Sequence, residues 1–216
     1  MRVRWRVPHA LRYRSFVSHP PLDRWREATP DDAARWLARA TAPWWIAGGH
    51  VVDLHLGRRT RAHGDLDVGC FRADLDRVRE ALPGWELYAA RDGALTLLRA
   101  GEPLATGVNS VWCHPADADV WWLELLLEDR DGPDWVFRRC ARVRRPAAAL
   151  ALVDPRGRPY LRPEIQLLYK AKVVRARDEA DLAALLPTLD LAARAWLADA
   201  LANWAPGHHW LSRLRA

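Results

Sequence analysis

Apolar positions recur along this chain with two periods, one helical and one extended. Thr29-Pro30-Asp31-Asp32 offers an N-cap, a proline at the first helical position and two acids in the first turn. Ala33, Trp36, Leu37 and Ala40 follow at helical spacing, which predicts a first helix over roughly residues 30–41. Trp44-Trp45-Ile46-Ala47 is a short apolar run halted by Gly48-Gly49, the pattern of a strand entering a tight turn. His50 to Leu56 reads as a helix closed by Gly57. Beyond it the pattern predicts a strand from Leu66 to Phe71, a capped helix from Asp74 to Leu82, and strands at Trp85–Ala89 and Leu95–Leu98. A loop over 101–118 then leads into a long strand from Val120 to Glu128. Trp135–Arg139 and Ala149–Val153 are shorter strand candidates, and DPRG at 154–157 is a turn.

After Pro163 the period becomes helical. Helices are expected at Glu164–Arg175, at 179–186 behind an Asp178 cap, and at Leu189–Trp204, where Pro206-Gly207 precedes a basic, Trp-containing tail. The fold class is therefore α+β: a mixed β-sheet flanked by helices over residues 28–160, followed by a C-terminal α-helical domain over 161–216. Residues 1–27 are basic and irregular, with HPP near their middle, and are expected to form a poorly packed extension.

Composition narrows the class. With 216 residues, 50% of them hydrophobic, the chain can bury a core of its own. It holds no apolar run of membrane-spanning length, and its Arg-rich start lacks the apolar stretch of a signal peptide, so a cytoplasmic protein without a membrane anchor is expected. Cys70, Cys113 and Cys140 lie far apart, which argues against a disulfide framework or zinc site and for free thiols. The formal charge of +6 suits a nucleic-acid surface or a site for an anionic ligand, but basic surfaces are common and that plain reading is the expectation, with no nucleic-acid partner expected. Of 33 Lys and Arg residues only Lys170 and Lys172 are lysine. A compact ammonium does what a planar guanidinium cannot, so these two stand out.

Chemistry concentrates at AHGDLDVGC, residues 62–70. Alternate residues of a strand share a face, so Asp65 and Asp67 project to one side. Two carboxylates so placed repel each other unless a cation neutralises both. A hard divalent ion such as Mg²⁺ does so with oxygen ligands, leaving positions for waters and substrate phosphates. Upstream, Gly48-Gly49 before a short helix is an arrangement in which bare backbone N–H groups accept a phosphate. Arg58, Arg59, Arg61 and His63 lie between; Arg58 or Arg61 has the fork geometry to clamp a triphosphate, and His63 either orients a carboxylate or bonds the turn.

An apolar residue, Gly-Gly, a helix and then Asp-x-Asp on the next strand resembles the motif of the nucleotidyltransferase superfamily, the polymerase-β-like fold. WWIAGGHVVDLHLGRRTRAHGDLDVGCFR is similar to its aminoglycoside 2″-adenylyltransferase-like branch, as are RPEIQLLYKAK with DEADL and the closing WLADAL with PGHHW. The likeness covers roughly residues 30–212. It implies two Mg²⁺ ions, ATP or another NTP as co-substrate, a small hydroxylated acceptor, and a third acid on a neighbouring strand. Glu124, the one acid inside the apolar stretch of the long strand, is the candidate for that ligand or for the base; Asp119 is weaker, and Glu128 is expected to be solvated. Lys170 or Lys172 is implied to reach the phosphates, with Lys172 extending the helix's buried stripe and Lys170 on its flank. Glu164 suits the helix dipole. Glu179, Asp181 and Asp190 offer acids for a polycationic acceptor such as an aminoglycoside, or are surface residues. The resulting expectation is transfer of a nucleoside monophosphate to a hydroxyl; the alternative is a nucleotide-sensing, partner-binding or RNA-binding module on the same fold. AMP transfer to a protein hydroxyl would use the same residues.

Overall fold

The computed structural model describes residues 19–216. Helix α1 spans Pro30–Trp36, capped by Thr29 and Asp32 in a reciprocal capping box, and is shorter than its apolar spacing predicts. Strand β1 (Trp44–Ile46) runs into the glycine turn, and α2 (His50–Leu56) ends at Gly57 in the left-handed conformation. Then come β2 (Asp67–Phe71), α3 (Leu75–Arg79), and the hairpin β3 (Trp85–Arg91) and β4 (Ala94–Leu97). Strand β5 (Ser110–Pro115) lies inside the expected loop, and β6 (Leu123–Asp131) is the long strand. Short strands β7 (Asp134–Val136), β8 (Arg144–Pro146), β9 (Ala151–Val153) and β10 (Pro159–Leu161) complete the β part. The helical part holds α4 (Pro163–Lys170), α5 (Ala176–Leu185), α6 (Leu191–Trp204) and α7 (Trp210–Arg215).

The sheet is mixed, in the order β4-β3-β5-β6-β2-β1-β10-β9, with β7 and β8 continuing from β6. Among the named strands of the described residues, β2 with β6 and β1 with β10 are the parallel pairs. The central strands are the most apolar: Val68, Cys70, Val111, Cys113, Leu123, Leu125 and Leu127 are fully buried. Parallel pairing of β2 and β6 sets Asp67 directly opposite Glu124, Gly69 opposite Leu126 and Phe71 opposite Glu128. Pleating puts these pairs on one face, the face that meets α4.

Residues 1–18 of the expected extension lie outside the described residues, and the remainder of it is not loose. Arg24 and Arg26 exchange backbone hydrogen bonds with Trp121, and the Trp25 ring meets Trp112 edge to face at 4.8 Å. His19 sits against Tyr88 and Trp121, and the Arg26 guanidinium lies 4.2 Å over Trp122. Aromatic and cation–π contacts of this kind hold a segment without regular secondary structure. The three cysteines are free; burial pushes the Cys70 thiol up to about 12 and the Cys113 thiol well above its ordinary range.

Candidate active site

The oxygens offered by Asp65, Asp67 and Glu124 lie within 4.8 Å of one another. Asp65 is exposed at the mouth, and Asp67 and Glu124 are half-buried below it. Burial pushes the Asp67 carboxyl well above the usual range, and the neighbouring Asp65 and Glu124 push it further, while Lys170 and Arg177 pull it down. Burial likewise raises Glu124 to about 7, against the hydrogen bond donated by Ser110 Oγ at 2.6 Å and with the Asp65 charge. Such a cluster holds protons near neutrality unless a cation replaces them. Three convergent hard oxygen donors fit a divalent ion such as Mg²⁺.

The glycine turn presses on this cluster. Gly48 has φ +66°, and a β carbon there would stand 2.8 Å from the Asp67 carboxyl carbon and overlap an oxygen. Its N–H is not bare as the sequence suggested: it donates to Gln166 Oε1 of α4 at 2.8 Å and ties the turn to the helical part. A β carbon at Gly49 would stand 2.5 Å from His63 Nδ1 and collide with the Arg61 guanidinium. Only glycine admits both approaches.

Arg61 is held there by a relay. Its Nη1 lies 3.1 Å from His63 Nδ1, and a guanidinium only donates, so Nδ1 accepts and His63 Nε2–H donates to Asp53 Oδ2 at 2.7 Å. Asp53 Oδ1 accepts from the Thr60 N–H and hydroxyl. His50, Asp53 and His63 also converge, but with both His63 nitrogens engaged the group reads as a hydrogen-bonded relay that aims Arg61. Arg58 is exposed, and among the described residues its side chain makes no hydrogen bond or ion pair.

The two lysines exchange the positions expected of them, because α4 ends at Lys170 and leaves Lys172 beyond its cap. Lys170 is buried, 3.2 Å from Asp178 and 2.8 Å from Asp181 of α5, so its charge is already matched by two acids. Lys172 is exposed and lines an open cleft with Arg72, Arg138 and Arg139. Arg177 also stands near the carboxylates. It is half-buried in the first turn of α5, is electrostatically coupled to Asp65 and Asp67, and among the described residues has no hydrogen-bond or ion-pair partner. Sequence reasoning passed over it because nothing separates one arginine from so many.

The other acids have structural employment. Glu128, expected to be solvated, is 5% exposed and accepts from Trp135 Nε1 at 2.8 Å and from the Tyr169 hydroxyl. Buried Glu164 pairs with Arg145 at 2.5 Å rather than merely facing a helix end. Asp119 is exposed and pairs with Arg24. Glu179 holds His209 and Arg213, Asp181 holds Lys170, and Asp190 caps α6.

A family model described as aminoglycoside-2″-adenylyltransferase matches residues 32–89, the stretch that carries the glycine turn, the relay and both aspartates. The chain is also similar to 2″-aminoglycoside nucleotidyltransferases of Escherichia coli and Klebsiella pneumoniae, each 33% identical over 94 residues, 42% of this chain and 46% of theirs. The chain thus spans about half the length of the curated relatives it matches. Among solved structures it superposes on ANT(2″)-Ia in complex with adenylyl-2″-tobramycin with a TM-score of 0.53 at 16% identity, covering 82% of this chain and 98% of that one. The chain has the nucleotidyltransferase fold. Within that fold it resembles the aminoglycoside 2″-adenylyltransferase branch, and Asp65 and Asp67 fall inside the matched stretch. No helix among the described residues is long and apolar enough to cross a membrane.

Proposed function

We propose that this chain is a nucleotidyltransferase that moves a nucleoside monophosphate, AMP from ATP, onto a hydroxyl of a small acceptor. The observation that carries the reading is the convergence of Asp65, Asp67 and Glu124 within 4.8 Å, Asp67 and Glu124 on paired parallel strands and Asp65 on the bend before them, beside a glycine turn too close to admit a side chain.

In this reading Asp65, Asp67 and Glu124 hold Mg²⁺, which when bound supplies positive charge to the phosphates and to the attacking oxygen. Arg61, aimed by His63 and Asp53, and Arg177 would supply positive charge to the triphosphate. The acceptor oxygen forms a bond to the α-phosphorus, the bond from that phosphorus to the bridging oxygen breaks, and pyrophosphate leaves. Glu124 has two alternative uses, as the third ligand to the metal or, unligated, as the base that takes the hydroxyl proton. Ser110 fixes the orientation of that carboxylate. The named relatives act on aminoglycosides, so that class belongs in the acceptor screen.

The test is pyrophosphate release from Mg-ATP in the presence of an acceptor panel. Asp65→Asn and Asp67→Asn are each expected to lower turnover by at least ~10²-fold while the circular dichroism spectrum is retained. Turnover close to that of the unmodified chain in either variant contradicts the assignment.

A further inference from the structure

Across four adjacent strands the register sets Asp67, Glu124, Trp112 and Tyr88 in one row, on one face of the sheet. Glu124 therefore has the Asp67 carboxylate on one side and the Trp112 indole on the other. Ser110, two residues before Trp112 on β5, donates to Glu124 Oε1 at 2.6 Å. Hydrogen bonding from both Ser110 and Trp112 opposes the effect of burial on that carboxyl. Two donors from one face of one strand fix the direction of a carboxylate more closely than one donor does.

Trp112 is itself braced. The Trp25 ring meets it edge to face at 4.8 Å, and the fully buried Trp121 ring meets it at 5.3 Å. Trp25 comes from the segment ahead of α1, which is stitched down on either side of it: the Trp121 N–H donates to the Arg24 carbonyl at 2.9 Å, and the Arg26 N–H donates to the Trp121 carbonyl at 2.8 Å. The Trp25 indole N–H donates to the Leu22 carbonyl at 3.2 Å, which sets the ring's own orientation. Arg24 pairs with Asp119 at 2.6 Å, but both are exposed, and such a pair adds little. The aromatic contacts and the two backbone bonds are what place Trp25 against Trp112. This segment precedes residues 32–89, the stretch that the family model matches.

Resting on the transferase reading above, we infer that Trp112 is a positioning residue for Glu124 and that Trp25 holds Trp112 in that role, so the segment ahead of α1 is part of how the active site is built. As metal ligand or as base, Glu124 must present one oxygen in one direction. Partners that orient such a group act on the chemistry without touching the substrate. Removing the Trp25 ring takes away one of the two rings that brace Trp112 and frees the indole N–H to turn from the carboxylate.

Isotope labelling of the tryptophan indoles lets nuclear magnetic resonance follow the Trp112 N–H, identified by its absence in Trp112→Phe. Its exchange with solvent is measured, without metal or nucleotide, in the unmodified full chain and in Glu124→Leu, Trp25→Ala, Trp25→Phe and Trp36→Ala. Trp36 is the control, a half-buried ring like Trp25 that meets Trp85 at 5.1 Å on the opposite face of the sheet. Expected is exchange at least ~10-fold faster in Glu124→Leu and Trp25→Ala, and unchanged in Trp25→Phe and Trp36→Ala. Pyrophosphate release from Mg-ATP with the acceptor panel is expected to fall at least ~10-fold in Trp112→Phe and Trp25→Ala, and to hold in Trp25→Phe and Trp36→Ala. Exchange that Glu124→Leu or Trp25→Ala leaves unaltered overturns the inference, as does turnover that Trp25→Ala leaves intact or that Trp36→Ala lowers equally. Faster exchange in those two variants of a chain that releases no pyrophosphate supports the brace and defeats only the transferase reading.

Discussion

Gly48 and Asp67 touch so closely that a single added carbon on the glycine would occupy the place of the aspartate's carboxylate. The contact joins the two halves of the sequence motif: the glycine turn that ends β1 leans on the acid that opens β2. Gly48→Ala therefore combines left-handed backbone strain of about 1–2 kcal/mol with displacement of Asp67. The expected result is a modest drop in melting temperature and a loss of turnover of at least ~10²-fold, read by thermal unfolding and pyrophosphate release on one preparation.

Lys170 and Arg177 are predicted to separate stability from binding. Lys170 is 8% exposed, and its removal leaves Asp178 and Asp181 buried without their shared partner. Asp178 keeps Arg175, and Asp181 keeps only Arg61 at 3.8 Å, so the loss falls below the figure of about 3–5 kcal/mol for a fully broken buried pair, and Lys170→Met should still unfold at lower denaturant. Arg177→Ala breaks no pair; its stability should stay within about 0.5 kcal/mol, while the KM for ATP rises roughly tenfold. Chemical denaturation and steady-state kinetics distinguish the two.

His50 sets an acid limb. Burial first, and then the neighbouring His63, lower it from 6.5 to about 4, and its Nε2 is buried without a partner. The folded state therefore binds fewer protons than the unfolded state between these values. Its contribution is present in full above pH 6.5 and is lost as pH falls toward 4, with a size on the order of 3 kcal/mol. Urea midpoints at pH 7.5, 6, 5 and 4, values chosen about that window, should fall more steeply for the unmodified chain than for His50→Leu.

Much of this architecture is legible in the sequence because local signals agree with tertiary ones. Thr29 with Asp32, Gly57 in the left-handed region and the alternation of β6 each mark an element that packing then confirms. Strand β5 escaped because its polar residues have tertiary uses that no period shows: Ser110 bonds Glu124, and His114 stacks on Tyr88. Strand β10 is three residues long and exists through its partners β1 and β9. Helix α7 begins just beyond Pro206-Gly207, and its Trp210 is buried with Nε1 on Glu179. At the site, Asp65 and Asp67 were readable from their spacing and Glu124 from the family resemblance; the β2–β6 register sets Asp67 opposite Glu124, while Asp65 joins them from the bend before β2 rather than from the strand face that alternation predicts. The exchange of roles between Lys170 and Lys172, and the placement of Arg177, depend on where α4 stops and how α5 docks, which composition does not encode. Glu128 looked like a strand-end acid because its partners, Trp135 and Tyr169, arrive from other elements.

The account turns on whether Asp65, Asp67 and Glu124 take up a divalent cation together with a nucleotide, and Mn²⁺ reports this directly. Electron paramagnetic resonance of free Mn²⁺ during titration into the unmodified chain and into Asp67→Asn, with and without ATP, measures the uptake. Expected is uptake that ATP strengthens in the unmodified chain and that Asp67→Asn loses while remaining folded. Equal uptake by both proteins, or none that ATP enhances, contradicts it.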